Sequence, residues 1–244
     1  EIAAPVLGLA LTSRDKNADN PIPMAGFPWH ALEDNLKTML KSGFKVTVAE
    51  QEQELREGAK LLERVVTRIY TPGSLYEESL LSTNERSVLS SIVLAKSSLS
   101  MAVIDSSTGE SWASTWNDNE RFSSLEDELL RWNPAEIIIS PKDAENNDLC
   151  AIFANLGDCV ISQHSVNKKR RIERLESILE VSDLGHLDLD NSPLSIEAAG
   201  FAADYLAEVH FKDNIPIRDL QIVEETGHLV VDQTTLRNLE ITST

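Results

Sequence analysis

Cysteine is nearly missing from this 244-residue sequence, occurring only as Cys150 and Cys159. Two thiols without a clustered His or Cys set build neither a disulfide framework nor a zinc site, and a reducing cytoplasm is the expected setting. Long apolar runs are missing too. The longest, such as Ile137-Ile138-Ile139, fall far below the roughly 18 to 20 residues that cross a bilayer, and no basic-then-apolar leader pattern opens the sequence, so neither membrane nor secretory classes are expected. Glycine (10) and proline (9) are too sparse for a fibrous or low-complexity chain; 41% hydrophobic and 25% charged residues fit a globular protein of one or two domains.

Positive charge is scarce. Lys and Arg number 22 against 40 Asp and Glu, a net charge of -18, whereas binding a polyanion draws on Lys and Arg to displace counterions. The distribution matters more than the sum. Residues 1–73 carry 10 acidic and 9 basic side chains, residues 74–213 carry 25 and 11, and residues 214–244 carry 5 and 2. A first segment near neutrality can face DNA with one side, while the acidic middle fits a protein partner better than phosphate.

Catalytic signatures are also lacking. None of the 10 glycines precedes a lysine, so no G-x-x-x-x-G-K-[ST] phosphate loop exists, and there is no G-x-S-x-G elbow, no H-E-x-x-H and no Cys/His set at ligand spacing. The sequence begins at Glu1 and stops at Thr244 just after a new apolar pattern starts, as expected of a fragment of something longer.

Local patterns are clearer. Leu32, Leu36, Met39 and Leu40 recur at helical spacing opposite Glu33, Asp34, Lys37 and Lys41, with Gly43 as the stop, and predict a helix over about 31–41. Phe44–Val48 and Val65–Tyr70 read as strands before Pro72-Gly73 breaks the second. Helix and strands make one α/β unit, 1–73. The polar stretch 74–86 reads as a linker.

A second, mixed α/β unit spans 87–213. Val88–Ala95, Ser100–Asp105 and Glu110–Trp116 form a β-meander; Ser123 with Glu126 fits a capping box for a helix ending at Asn133-Pro134; a strand follows over Ala135–Ser140. A helix over about 148–156 and a strand over Cys159–Ser162 come next, and Ser192-Pro193 opens the clearest helix, whose apolar residues from Leu194 to Val209 keep one face. Residues 214–244 start a further region, with extended stretches at 215–223 and 228–231 and a helical pattern over 232–241.

Three features bear on chemistry. Asp105 ends a meander strand, where a ribonuclease-H-like nuclease would place a metal-binding carboxylate, but a two-metal site needs several converging acids and Asp before Ser-Ser-Thr-Gly is an ordinary turn former. Lys168-Lys169-Arg170-Arg171 with Arg174 is the one basic cluster, read as phosphate contact, as a solvated helix start or as an intramolecular counter-charge. Pro21 to His30 sets three prolines and a glycine around Met24, Phe27, Trp29 and His30, a stiff loop feeding a helix N-terminus, which favours phosphate. The plainer alternative makes Met24, Phe27 and Trp29 core plugs and His30 a satisfied cap.

Pro21-Ile22-Pro23-Met24-Ala25-Gly26-Phe27-Pro28-Trp29-His30-Ala31, then Gly43–Val46 through Glu50-Gln51, then Thr71-Pro72-Gly73, resemble the mismatch-binding domain of the MutS family of DNA mismatch repair proteins. Ile104 to Gly109 resembles the start of that family's connector domain, and Thr235 to Glu240 the start of its core and lever region. The resemblance implies a small α/β mismatch-binding domain, a ribonuclease-H-like connector without nuclease function, and the first elements of a helical core. It implies mismatched duplex DNA as the target, a MutL-like partner at the connector, a homodimeric parent, and ATP with Mg used by a domain not in this sequence. The family's Phe-x-Glu wedge is absent and expected just upstream of Glu1. Arg14, Met24 and His30 are the DNA-contact candidates the resemblance carries over; no catalytic or metal-binding residue is expected.

Overall fold

The computed structural model describes residues 1–13, 19–51, 64–75, 87–117, 120–179, 192–210 and 217–223. A short helix α1 (Ala3–Val6) precedes a two-residue ribbon in which β1 (Thr12–Ser13) pairs antiparallel with β2 (Pro23–Met24). Helix α2 (Leu32–Lys41) forms where the 3.6-residue spacing of apolar side chains anticipates it, burying Leu36 and Leu40. It closes as Gly43, at φ 78°, turns the chain and Phe44 N–H returns to the Met39 carbonyl. Strand β3 (Val46–Gln51) then pairs antiparallel with β4 (Arg64–Tyr70), with a bulge between Val48 and Ala49.

The second unit starts with the expected meander, β5 (Val88–Leu94), β6 (Leu99–Asp105) and β7 (Ser111–Trp116), each antiparallel to the next. Helix α3 (Arg121–Trp132) ends at Asn133, whose left-handed φ of 45° and following Pro134 stop the helix, and the chain crosses to β8 (Glu136–Ile139), parallel to β5. Helix α4 (Asn147–Phe153), capped by the Asn146 side chain accepting from Leu149 N–H, leads to β9 (Val160–Gln163), parallel to β8. Helices α5 (Lys168–Leu179) and α6 (Pro193–His210) follow, and β10 (Gln221–Ile222) joins the sheet parallel to β7. The sheet order is β10-β7-β6-β5-β8-β9, a ribonuclease-H-like arrangement with one extra edge strand.

The sheet is buried on both faces, which explains the unbroken isoleucines of β8. Ile138 joins Leu89, Ala102 and Ile104 under Leu175 of α5 and Phe201 and Leu206 of α6. Ile137 and Ile139 point the other way, onto Leu125 and Leu129 of α3 and Leu149 of α4. A strand between two helical layers has no solvent face to alternate with, so it reads as a continuous apolar run.

Two local readings change. Helix α3 starts at Arg121, not at Ser123, because Phe122 packs against the α3–α4 core and draws the preceding turn into the helix; Ser123 and Glu126 therefore lie inside it and form no capping box. Helix α6 buries far more than one face: Ser195, Ala199, Gly200, Ala203 and Asp204 are buried along with the apolar stripe, because α5, the sheet and the first unit enclose it. The helical pattern over 232–241 and most of the 74–86 linker lie outside the described residues.

Candidate nucleic-acid interface

The loop from Pro21 to Trp29 is held at its start by the β1–β2 ribbon, where Thr12 pairs with Met24 and Ser13 with Pro23. Its far end is a 3-10 turn, Trp29–Ala31, in which Ala31 N–H donates to the Pro28 carbonyl at 2.9 Å. Between those anchors three prolines restrict φ, so the loop keeps one shape without a core beneath it. Its apolar residues face outward: Ile22 is 64% exposed, Met24 47%, Phe27 39% and Trp29 73%. They are not core plugs. His30 is exposed beside them, and Arg14 lies outside the described residues.

The helix N-terminus behind this loop is not a phosphate cradle. Exposed Glu33 and Asp34 occupy the first turn of α2, and no side chain caps it; their carboxylates already satisfy the positive end of the helix dipole and repel a second anion.

The basic cluster of α5 is paired intramolecularly, although Lys168, Lys169 and Arg170 remain exposed. Arg170 Nε lies 2.8 Å from Oδ1 of Asp204, which is 1% exposed, and Arg174 Nε lies 3.8 Å from the same oxygen. Lys168 and Arg171 both pair with Glu197, at 3.0 and 3.1 Å, and Lys169 pairs with Glu173. Burial lowers the pKa of the Arg171 guanidinium against the pull of Glu197. Helix α5 thus combines two of the three sequence readings, a solvated helix start at Lys168–Arg170 and counter-charge to Glu197 and Asp204 of α6.

Asp105 serves its turn. It is 3% exposed, its Oδ1 accepts from Ser107 N–H at 2.9 Å and from the Ser107 hydroxyl, and its carbonyl accepts from Gly109 N–H at 2.8 Å. Among the described residues, three His, Cys or carboxylate side chains close enough to share an ion occur only as His164, Asp204 and Glu208, a set that does not include Asp105. Arg170 already occupies one oxygen of that Asp204.

Sequence reasoning overlooked one polar assembly. Glu136, fully buried at the start of β8, accepts from the Tyr205 hydroxyl at 2.7 Å, from the Ser162 hydroxyl and from Gly73 N–H at 3.2 Å, and lies 3.2 Å from Lys45 Nζ. The available signal was a charged residue leading into an otherwise apolar buried strand.

The family model of MutS domain I matches residues 1–79, and that of MutS domain II matches residues 87–216. The chain belongs to the MutS family. It is 34% identical over 240 residues to a DNA mismatch repair protein MutS of Dehalococcoides mccartyi (strain CBDB1), covering 98% of this chain and 27% of that protein. The MutS of Halothermothrix orenii is 32% identical over 252 residues, covering 100% and 27%, and that of Caldanaerobacter subterraneus 29% identical over 241 residues, covering 99% and 28%. The chain therefore spans a little over a quarter of the length of these curated relatives. The first MutS domain contains the exposed loop, and the second contains β5 to β9 of the six-stranded sheet with the paired basic cluster, while β10 lies beyond the matched residues. No described helix is long and apolar enough to cross a membrane.

Proposed function

We propose that this chain is the portion of a mismatch-recognition protein that lays the 21–30 loop along duplex DNA and offers its acidic second unit to a protein partner. The observation that carries the reading is the loop: a proline-stiffened segment with Met24, Trp29 and His30 exposed, in the part of the sequence whose charges nearly balance. Contacts of this kind position a protein on the backbone without reading sequence. Mismatch discrimination depends on the extra deformability of a mispaired step, felt through a wedge that kinks the duplex, and the Phe-x-Glu wedge is not among these residues.

The parent carries the rest. ATP with Mg acts there through a separate domain, since this sequence offers no lysine after any glycine to hold a triphosphate. A MutL-like partner meets the second unit, and the parent is a homodimer. A nuclease or resolvase built on Asp105 is the weaker reading, because that carboxylate is committed to its turn.

Fluorescence anisotropy of the chain on a G·T duplex and its matched control at two ionic strengths tests this. Weak binding with little G·T preference is expected. Tight, clearly G·T-selective binding would place recognition inside these residues, and Mg-dependent cleavage lost in Asp105→Ala would establish the nuclease reading instead.

A further inference from the structure

Both strands of the β3–β4 ribbon leave for the second unit at the same place. Val46 pairs with Tyr70, so Lys45, just before β3, and Thr71, just after β4, stand side by side at the ribbon's end. From there the two strands reach one carboxylate. Lys45 Nζ lies 3.2 Å from Oε1 of Glu136, and Gly73 N–H donates to Oε2 at 3.2 Å.

The rest of the assembly fixes that carboxylate from the other side. The Tyr205 hydroxyl of α6 and the Ser162 hydroxyl of β9 both donate to Oε1. Lys45 Nζ also donates to the Tyr205 oxygen at 2.9 Å and sits 5.2 Å from the ring centroid. Burial, then the neighbouring Glu136, pushes the Tyr205 phenol well above its usual pKa, so it remains a protonated donor. A fully buried carboxylate is costly unless it is paired and hydrogen-bonded, and an apolar residue would fill the space at less cost; its presence here therefore calls for a geometric role.

The Gly73 side is firmly seated. A Cβ at Gly73 would lie 2.8 Å from the Glu136 Cβ and 2.9 Å from Leu89 Cδ1, the Ser106 hydroxyl donates to the Gly73 carbonyl at 2.9 Å, and the Ser87 hydroxyl donates to the Pro72 carbonyl. A ribbon held by one strand can pivot about it. Ile69 of β4 packs against the α6 core on the same strand as Gly73; a polar attachment on the neighbouring strand opposes rotation about that strand, and Lys45 provides it.

We propose that Lys45 is the positioning residue that fixes the first unit's ribbon on the second unit, with buried Glu136 as its anchor, and so sets the angle at which the 21–30 loop is presented; the consequence for DNA rests on the reading of that loop given above. The side chain of Lys45 is 39% exposed and Glu136 is sealed. The mobile partner of the pair can therefore be changed without opening the core.

The test is a distance measurement on the full chain, with one spin label on exposed Cys150 and a second on Asn20→Cys beside the loop. Cys159, partly exposed, is replaced by serine in every sample so that only the two chosen positions carry a label. The unsubstituted background should give one narrow distance distribution, Lys45→Met a distribution at least about twice as broad, and Lys45→Arg a return to the narrow one. Tyr205→Phe keeps the ion pair and should stay narrow. A Lys45→Met distribution as narrow as the background, or a Lys45→Arg distribution as broad as Lys45→Met, overturns the proposal. So does loss of amide exchange protection across β3–β4 in Lys45→Met, which would mean that the residue holds the ribbon together rather than aiming it. DNA affinity is measured separately: absence of binding by the unsubstituted chain would remove the loop reading and leave the distance result standing.

Discussion

Gly200 of α6 and Arg171 of α5 approach so closely that a Cβ on Gly200 would lie 2.2 Å from the Arg171 carbonyl oxygen. The contact is backbone against side-chain space, so no rotamer change relieves it. The same crossing stacks the Arg171 guanidinium 3.9 Å from the Phe201 ring centroid and pairs it with Glu197. Gly200→Ala is expected to force the two helices apart and to cost at least about 2 kcal/mol, the scale of overpacking in a tight core. Thermal unfolding followed by circular dichroism reads it, and an unchanged midpoint would contradict the crossing described here.

The exposed loop gives a binding prediction. On the function proposed above, Met24→Ala and His30→Ala, made in the full-length protein which that proposal implies, should weaken matched and mismatched duplex alike, since a backbone contact by the loop would position the protein without specifying a base. Arg14→Ala should do the same. Parallel titrations of both duplexes check this; a variant that altered mismatch preference while keeping matched affinity would assign that residue to base recognition.

Helix α5 gives the opposite expectation. Since Arg170 is committed to Asp204, Arg170→Ala should leave DNA affinity within about twofold and shift stability instead. Losing hydrogen bonds to a charged partner costs about 1.5 to 3 kcal/mol. Chemical denaturation and anisotropy on the same sample separate the two readouts, and a drop in affinity without a drop in stability would return the basic cluster to the DNA interface.

The two cysteines should react very differently. Cys150 is exposed, whereas burial and then the Glu136 charge raise the Cys159 thiol from 9.0 to about 12. In the folded chain at pH 8, iodoacetamide should modify Cys150 first, with Cys159 protected until denaturant is added. The linkage has a definite sign: a folded pKa above the unfolded one gives stability that is full below pH 9 and is lost as pH rises toward 12. Cys159→Ser should flatten that alkaline decline, and equal decline in both proteins would show that other groups govern it.

Much of the architecture follows from sequence-local physics. Periodicity placed α2 and α6, the Asn133-Pro134 pair ended α3, and turn residues separated the strands of the meander. These signals are legible because they act within a few residues, through backbone sterics and the repeat of one helical or strand face. The outward-facing loop was harder to read: the same Met24, Phe27 and Trp29 suit a core or a surface, and only the absence of a layer above them decides it.

The tertiary structure alone decided what the charges do. Nothing in Lys168 to Arg174 reveals that Asp204 and Glu197 wait on a helix some thirty residues away, and nothing in Gly43-Phe44-Lys45 reveals a carboxylate at position 136. An ion pair is a meeting of side chains brought together by the packing of distant elements, and its energy depends on burial that no local window contains. Sequence determined that there would be two α/β units, an acidic second one and a proline-stiffened loop in the first. The fold determined that one buried glutamate would join the two units, because only packing brings β8, β9, α6 and the end of the ribbon to the same point.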